Sequence, residues 1–340
     1  MENFKEMRVT GNVPDEQKAK VKKESQELFL DPHSTLTEKQ ANELKRVECP
    51  KTENEIVILK VINEKLKALA EEHGAAPYDI PAENIHIVPS DYFHQNFPGI
   101  SEAVALPEKQ MIFMDEHNVR SNLFAFADTV IHEQAHLLGD IAILISEDPD
   151  SGDFESSTQH AGWSMHASKK KELENKDHRH FEGTHEAIAA MIEKNMLQEM
   201  LKLPLFEEEK KLRESDEWRS MRSAIAKKRR MDEDDIVWFN PKNEKEGDLI
   251  GYPAQREALA YVMSEIQKEF PDQHQTIDEV YKEFLRSQFT GRFLNVARLV
   301  EKTFGEGSFR ILGNMDVERN SGIITLETLK KARMRMLRDA

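Results

Sequence analysis

Cysteine is almost missing from this chain: Cys49 stands alone among 340 residues. No internal disulfide can form, which fits a reducing compartment or an exported protein that needs no staples. An apolar signal core is missing as well, since the chain opens Met1-Glu2-Asn3-Phe4-Lys5-Glu6. Long apolar runs are absent around the most informative stretch, where Ile141 to Ile145 is far too short to span a bilayer. A soluble, cytoplasmic protein is the expectation, with signal-free export as the other route. Net positive charge is lacking too. The formal charge is −16, so neither nucleic acid nor an anionic membrane is an expected partner. The basic run Lys227-Lys228-Arg229-Arg230 is followed at once by Asp232-Glu233-Asp234-Asp235, a self-compensating surface. No internal repeat or long low-complexity tract is present.

What is present divides into three parts, and the length suits one large or two ordinary domains. Residues 1–50 are charged and poor in apolar side chains, which reads as an arm. Residues 51–205 read as the core. Within them Ile56, Leu59, Ile62, Leu66 and Leu69 recur at helical spacing until Gly74. Residues 84–88 alternate like a half-buried strand, and 102–106 and 110–114 read as two more, joined by a turn at Pro107-Glu108-Lys109. Residues 140–180 are polar and contain His160, His166, His178 and His180, which reads as a long loop or lid carrying surface histidines. Residues 206–340 read as mostly helical, with helices expected over 207–230, 254–270, 277–289, 293–304 and 326–337.

The chemistry concentrates in Ile131-His132-Glu133-Gln134-Ala135-His136-Leu137-Leu138-Gly139. On a helix, His132 and His136 lie one turn apart on one face and can converge on one small ion. Glu133 lies about 100° round the helix from His132 at 3.6 residues per turn, within reach of a water on that ion. Two imidazoles for the metal and a carboxylate for its water are the parts of a zinc hydrolase. The flanks Leu123, Phe124, Phe126, Val130 and Leu138 are strongly apolar, so the trio needs partners where it lies. Two hydrogen-bonded structural histidines are the plain alternative. Nitrogen and oxygen ligands also suit cobalt, manganese or iron.

A catalytic zinc site takes a third protein ligand. The metzincin pattern places a third His where Ala142 stands, although Gly139 matches it. The segment Phe181-Glu182-Gly183-Thr184-His185-Glu186-Ala187 instead resembles the second motif of the gluzincins, the glutamate-zincin metallopeptidases. Together with the preceding strands and the His-Glu-x-x-His helix, the resemblance covers roughly residues 84–190. It implies an α+β, zincin-like fold: a small N-terminal mixed sheet packed on an active-site helix, then a mostly α-helical C-terminal half. It implies one Zn²⁺ per chain on His132, His136 and Glu182, with Glu186 holding a ligating histidine from behind. Glu186 as the ligand is the other register, and that reading would leave Ala190 in the supporting position. Glu257, in Pro253-Ala254-Gln255-Arg256-Glu257, is a further rival for third ligand.

The implied activity is hydrolysis of peptide bonds in a peptide or protein substrate, with Glu133 as general base. A cleft-edge strand, 102–106 or 110–114, would hold the extended substrate. Tyr252, Tyr261 and His185 are the candidates for stabilising the oxyanion. The alternatives are a metal-dependent hydrolase of a non-peptide substrate and an inactive interaction protein, which the intact Glu133 speaks against.

Overall fold

Thr52 starts the first long helix of the core by capping it reciprocally. Its hydroxyl accepts from the Glu55 N–H at 3.2 Å, and the Glu55 carboxylate accepts from the Thr52 N–H at 2.7 Å, which satisfies two donors the helix cannot pair itself. Arg120 then adds its guanidinium to the Glu55 carboxylate at 2.8 Å, so the cap also anchors a neighbouring element. The computed structural model describes residues 7–30, 37–76, 78–100, 102–147, 152, 154–166, 179–229, 231–240 and 243–339.

In chain order the elements are β1 (Arg8–Thr10), α1 (Asp15–Leu30), α2 (Glu38–Val47), α3 (Glu53–Glu72), β2 (Ile85–Val88), α4 (Ser90–Asn96), β3 (Ala103–Leu106), β4 (Met111–Asp115), α5 (Glu116–Val119) and α6 (Leu123–Leu138). There follow β5 (Ile141–Glu147), β6 (Phe154–Ala161), β7 (Ser164–His166), β8 (Arg179–His180), α7 (Glu182–Met200), α8 (Glu207–Glu214), α9 (Asp216–Arg229), β9 (Ile236–Asn240) and β10 (Asn243–Leu249). The chain ends with α10 (Pro253–Glu269), α11 (Ile277–Thr290), α12 (Leu294–Phe304), α13 (Ser308–Gly313) and α14 (Arg319–Asp339). The architecture is α+β, with small mixed sheets early and a mostly helical second half.

Three strands, ordered β2-β4-β3, form the first sheet. β2 and β4 run parallel, with Ile85 opposite Ile112, while β3 is antiparallel, with Ala105 opposite Ile112. β2 and β4 are buried along their length and β3 only half-buried, as befits an edge. The short turn between β3 and β4 makes that register local. α6 lies beside β3 and packs against α3 and α7. Asn122 caps α6 by accepting from the Phe124 N–H at 2.6 Å. Its other end, Gly139, has φ −55° and is not a left-handed cap. Glycine is needed there for closeness, since a Cβ would stand 2.9 Å from the Gln288 amide and from Gly162.

Residues 140–180 are not one long loop where they are described. β5, β6, β7 and β8 continue a second sheet, ordered β1-β5-β6-β7-β8. β5 pairs antiparallel with β6 through Ile141 and Ala161. His178 lies outside the described residues. His160 is buried and accepts no surface role: it meets the Asp140 carboxylate at 2.8 Å, as Arg8 does at 2.6 Å. The charged arm enters this same sheet, because Arg8, Val9 and Thr10 pair parallel with Ala142, Ile143 and Leu144. β5 opens as a short continuous apolar run and β6 is mostly polar, so neither shows the alternation that marks a strand. The helix expected over 207–230 is two, α8 and α9, broken where the Ser215 hydroxyl accepts from the Trp218 N–H.

One buried apolar cluster runs from Ile58 to Leu329, through α3, α6, α7, α10, α11 and α12. It crosses the division placed at residue 205, because α10 and α11 pack on α7, which in turn lies against α6, the helix that carries the two histidines. Among the described residues no helix is long and apolar enough to cross a membrane.

Candidate metal centre

His132 and His136 leave α6 on the face that α7 covers. Their Nε2 atoms lie 3.1 Å apart, and Glu186 Oε2 lies 3.1 Å from the first and 3.4 Å from the second. These three are the one group of metal-ligating side chains found among the described residues. Bonds of 2.0–2.2 Å in a tetrahedral zinc site separate neighbouring ligand atoms by about 3.3–3.6 Å. The triangle here has nearly that size.

The structure brings Glu186 to the two histidines, and not Glu182. Glu182 is the first residue of α7 and pairs with Arg179 at 3.3 Å. Phe181, just before it, holds φ +63° and ties its N–H to the Gly313 carbonyl at 2.7 Å. The helix thus starts where Glu182 is at the rim, and the residue one turn deeper meets the histidines. Glu257 is exposed on α10.

The supporting carboxylate is Glu193, seven residues beyond Glu186 and so on the same helix face. Its Oε2 accepts from His132 Nδ1 at 2.7 Å, and its side chain is 4% exposed. His132 must then carry its proton on Nδ1, and its Nε2 lone pair faces the Glu186 carboxylate. Burial alone would lower the His132 pKa, yet hydrogen bonds to Glu186 and Glu193 push it well above the ordinary value. Either a proton or a metal ion must stand between these acceptors.

His136 is settled by a longer chain of bonds. Gln288 Nε2 donates to the Ala135 carbonyl at 3.3 Å, which orients the amide. Its Oε1 accepts from the Trp163 N–H at 3.2 Å and lies 3.3 Å from His185 Nδ1, which the same N–H also approaches at 3.3 Å, and the tautomer with the proton on Nδ1 lets Oε1 accept from both. His185 Nε2 is then the acceptor for His136 Nδ1–H at 2.7 Å, and His136 Nε2 is left as a lone pair. Burial, then the neighbouring His136, pushes the His185 pKa down to about 3, so His185 is a neutral acceptor. Gly162, at φ +54°, admits this arrangement, because a Cβ there would collide with Gln288 and with His185 Cε1.

Glu133 follows His132 on α6, beside the pair and near Ala105 of the edge strand. Burial, reinforced by the charge of Glu186, raises its pKa against the pull of His132 and His136. Glu102, just before β3, is raised by burial and by the charges of Glu193 and Glu133. Of the three oxyanion candidates, Tyr252 enters the site. Its ring lies 6.1 Å from that of His132, tilted 22°. Burial, then the nearby charge of Glu186, pushes its pKa up, which keeps the phenol protonated and a donor. Tyr261 packs on Phe304 and under Lys330, and His185 lies behind His136.

Glu193 and Gln288 were the residues the motif could not announce. A buried acid in the apolar stretch Ala187–Met200 was the one available signal for Glu193, and nothing in the spacing points to Gln288. The donor set fits a divalent metal: two neutral imidazole lone pairs, one ionised carboxylate and supporting partners behind both imidazoles. The chain matches no protein-family model, no curated protein and no solved structure.

Proposed function

We propose that this protein is a zinc-dependent metallopeptidase of gluzincin type, with a zincin-like arrangement of β2-β4-β3 on α6. The observation that carries the reading is the triangle of His132 Nε2, His136 Nε2 and Glu186 Oε2, with edges of 3.1–3.4 Å and Glu133 beside it. A zinc ion held there polarises a carbonyl and acidifies water. Glu133, with its raised pKa, takes a proton from the attacking water and returns it to the leaving amine. Tyr252 donates to the oxygen on which charge develops. β3, half-buried at the sheet edge beside α6, aligns an extended peptide by strand addition.

The test is cleavage of a mixed peptide library by the zinc-loaded full chain, read by mass spectrometry. Glu133→Gln is expected to keep about one zinc per chain and to lose about 10²–10⁴-fold in kcat. Equal cleavage by Glu133→Gln, or a parent that retains no zinc, overturns the assignment.

A further inference from the structure

Tyr252 reaches the site in an unusual backbone state. It is the N-cap of α10 with φ +54° and ψ +46°, the left-handed region that a bulky side chain rarely adopts. Its neighbour in sequence, Gly251, offers no side chain to hold it. What holds it is Arg256. Arg256 Nε donates to the Gly251 carbonyl at 2.8 Å and Nη2 to the Ile250 carbonyl at 3.3 Å. The Arg256 N–H donates to the Tyr252 carbonyl at 2.9 Å. Three consecutive carbonyls, those of residues 250 to 252, are thus fixed by one residue.

Arg256 is itself locked. Nη1 and Nη2 clasp both oxygens of Asp235, at 2.9 and 2.8 Å, the bidentate geometry a guanidinium favours. Asp235 also accepts from Lys194 Nζ at 2.8 Å, and its carbonyl takes the Ile250 N–H at 2.8 Å. Lys194 follows Glu193 directly on α7, the helix that carries Glu186. The three side chains therefore bridge the helix bearing the third ligand to the turn bearing Tyr252. Arg256 and Asp235 side chains are 11% and 6% exposed. Buried ion pairs add little net stability over apolar packing, so what this one delivers is geometry.

We propose that Lys194, Asp235 and Arg256 form a positioning clamp that sets the Tyr252 phenol against Glu186, and that Arg256 acts on the site through Tyr252 alone. The inference rests on the metallopeptidase reading for its kinetic arm, and its spectroscopic arm is independent of activity.

The experiment is a double-mutant cycle on the full chain with Arg256→Gln and Tyr252→Phe, alongside Arg256→Lys. Metal content and melting temperature establish that each variant is folded and loaded. Tyr252→Phe is expected to lower kcat about 10²-fold with little change in KM. Arg256→Gln is expected to lower kcat at least tenfold, yet less than twofold more in the Tyr252→Phe background. Arg256→Lys, which cannot fork, restores less than half of the loss. The cobalt-loaded protein supplies the second readout: its visible absorption bands are expected to move alike in Tyr252→Phe and Arg256→Gln. Multiplicative losses in kcat overturn the clamp. So does an Arg256→Gln spectrum identical to the parent's, or a Tyr252→Phe change that moves neither readout. A parent that cleaves nothing defeats the peptidase reading and leaves the cobalt spectra to decide on the clamp.

Discussion

His132 and His136 sit one turn apart on α6, yet the partners behind them differ in kind. Behind His132 stands a carboxylate, Glu193, in contact at 2.7 Å, with Tyr252 alongside in the cleft. Behind His136 stand neutral groups, the His185 imidazole and the Gln288 amide, walled in by Trp163. The first arrangement holds a tautomer by charge. The second holds it by a relay whose direction is set at a single carbonyl, that of Ala135. A charged partner raises the basicity of its imidazole, whereas a neutral relay mainly fixes orientation. The two ends of one motif therefore answer differently to mutation.

The largest effect tests the triangle on which both ends converge. Glu186→Ala is expected to abolish stoichiometric zinc, while Glu182→Ala keeps about one zinc per chain, as a three-ligand site requires. Elemental analysis after dialysis checks it, and zinc lost from Glu182→Ala alone would restore the other register.

The comparison itself is sharpened by Glu193→Gln against Gln288→Ala. Glu193→Gln is expected to weaken zinc binding by about 10–100-fold, measured by competition with a chelator. Gln288→Ala should weaken it less than tenfold and by another route. Without Oε1, the Trp163 N–H, 3.3 Å from His185 Nδ1, is left as that nitrogen's sole partner. His185 then turns its proton towards His136, whose own proton moves to the metal side. Nitrogen NMR of the histidines would show this reversal in Gln288→Ala and not in Glu193→Gln. An affinity loss in Gln288→Ala equal to that of Glu193→Gln would erase the distinction.

The smallest effect is one of acidity. Asp235, on the His132 side, and Asp140, on the His136 side, both have lowered pKa values. Burial opposes the shift in each, and it is outweighed by Arg256 and Lys194 for Asp235 and by His160 and Arg8 for Asp140. A carboxylate depressed in the folded state stabilises above its unfolded pKa, about 3.9, and loses that contribution as pH falls through the folded value. The melting-temperature deficits of Asp235→Asn and Asp140→Asn should therefore be flat above about pH 5 and shrink below about pH 4. A deficit that persists unchanged into acid would show that the ion pairs are not its source.

Much of the site was legible because its signals are local. The His-Glu-x-x-His helix and the β3–β4 hairpin follow from spacing and turn residues. The structure brings Glu186 to the histidine pair, one turn from the Glu182 of the favoured register, and the reason is definite. A supporting acid was sought four residues beyond the ligand, where Ala190 stands, whereas Glu193 supplies it from seven. Tyr252 was named without a means of choosing it over Tyr261, since its entry depends on a left-handed N-cap that Arg256 secures. β1 and the strands after α6 were not legible. β1 pairs with β5, which brings Arg8 to Asp140 across 132 positions, and the β6–β7 turn brings Trp163 to Gln288 of α11, contacts that no local periodicity encodes.

Gln288 lies 103 positions beyond His185 in the chain, and that separation becomes an interval when the protein is made. At about 5–20 residues per second, the ribosome produces Gln288 roughly 5–20 s after His185. All three metal-facing side chains and Glu193 exist before it does. Under the proposed zinc reading, His136 is free to take either tautomer until α11 is made, and Gln288 then fixes the one that binds.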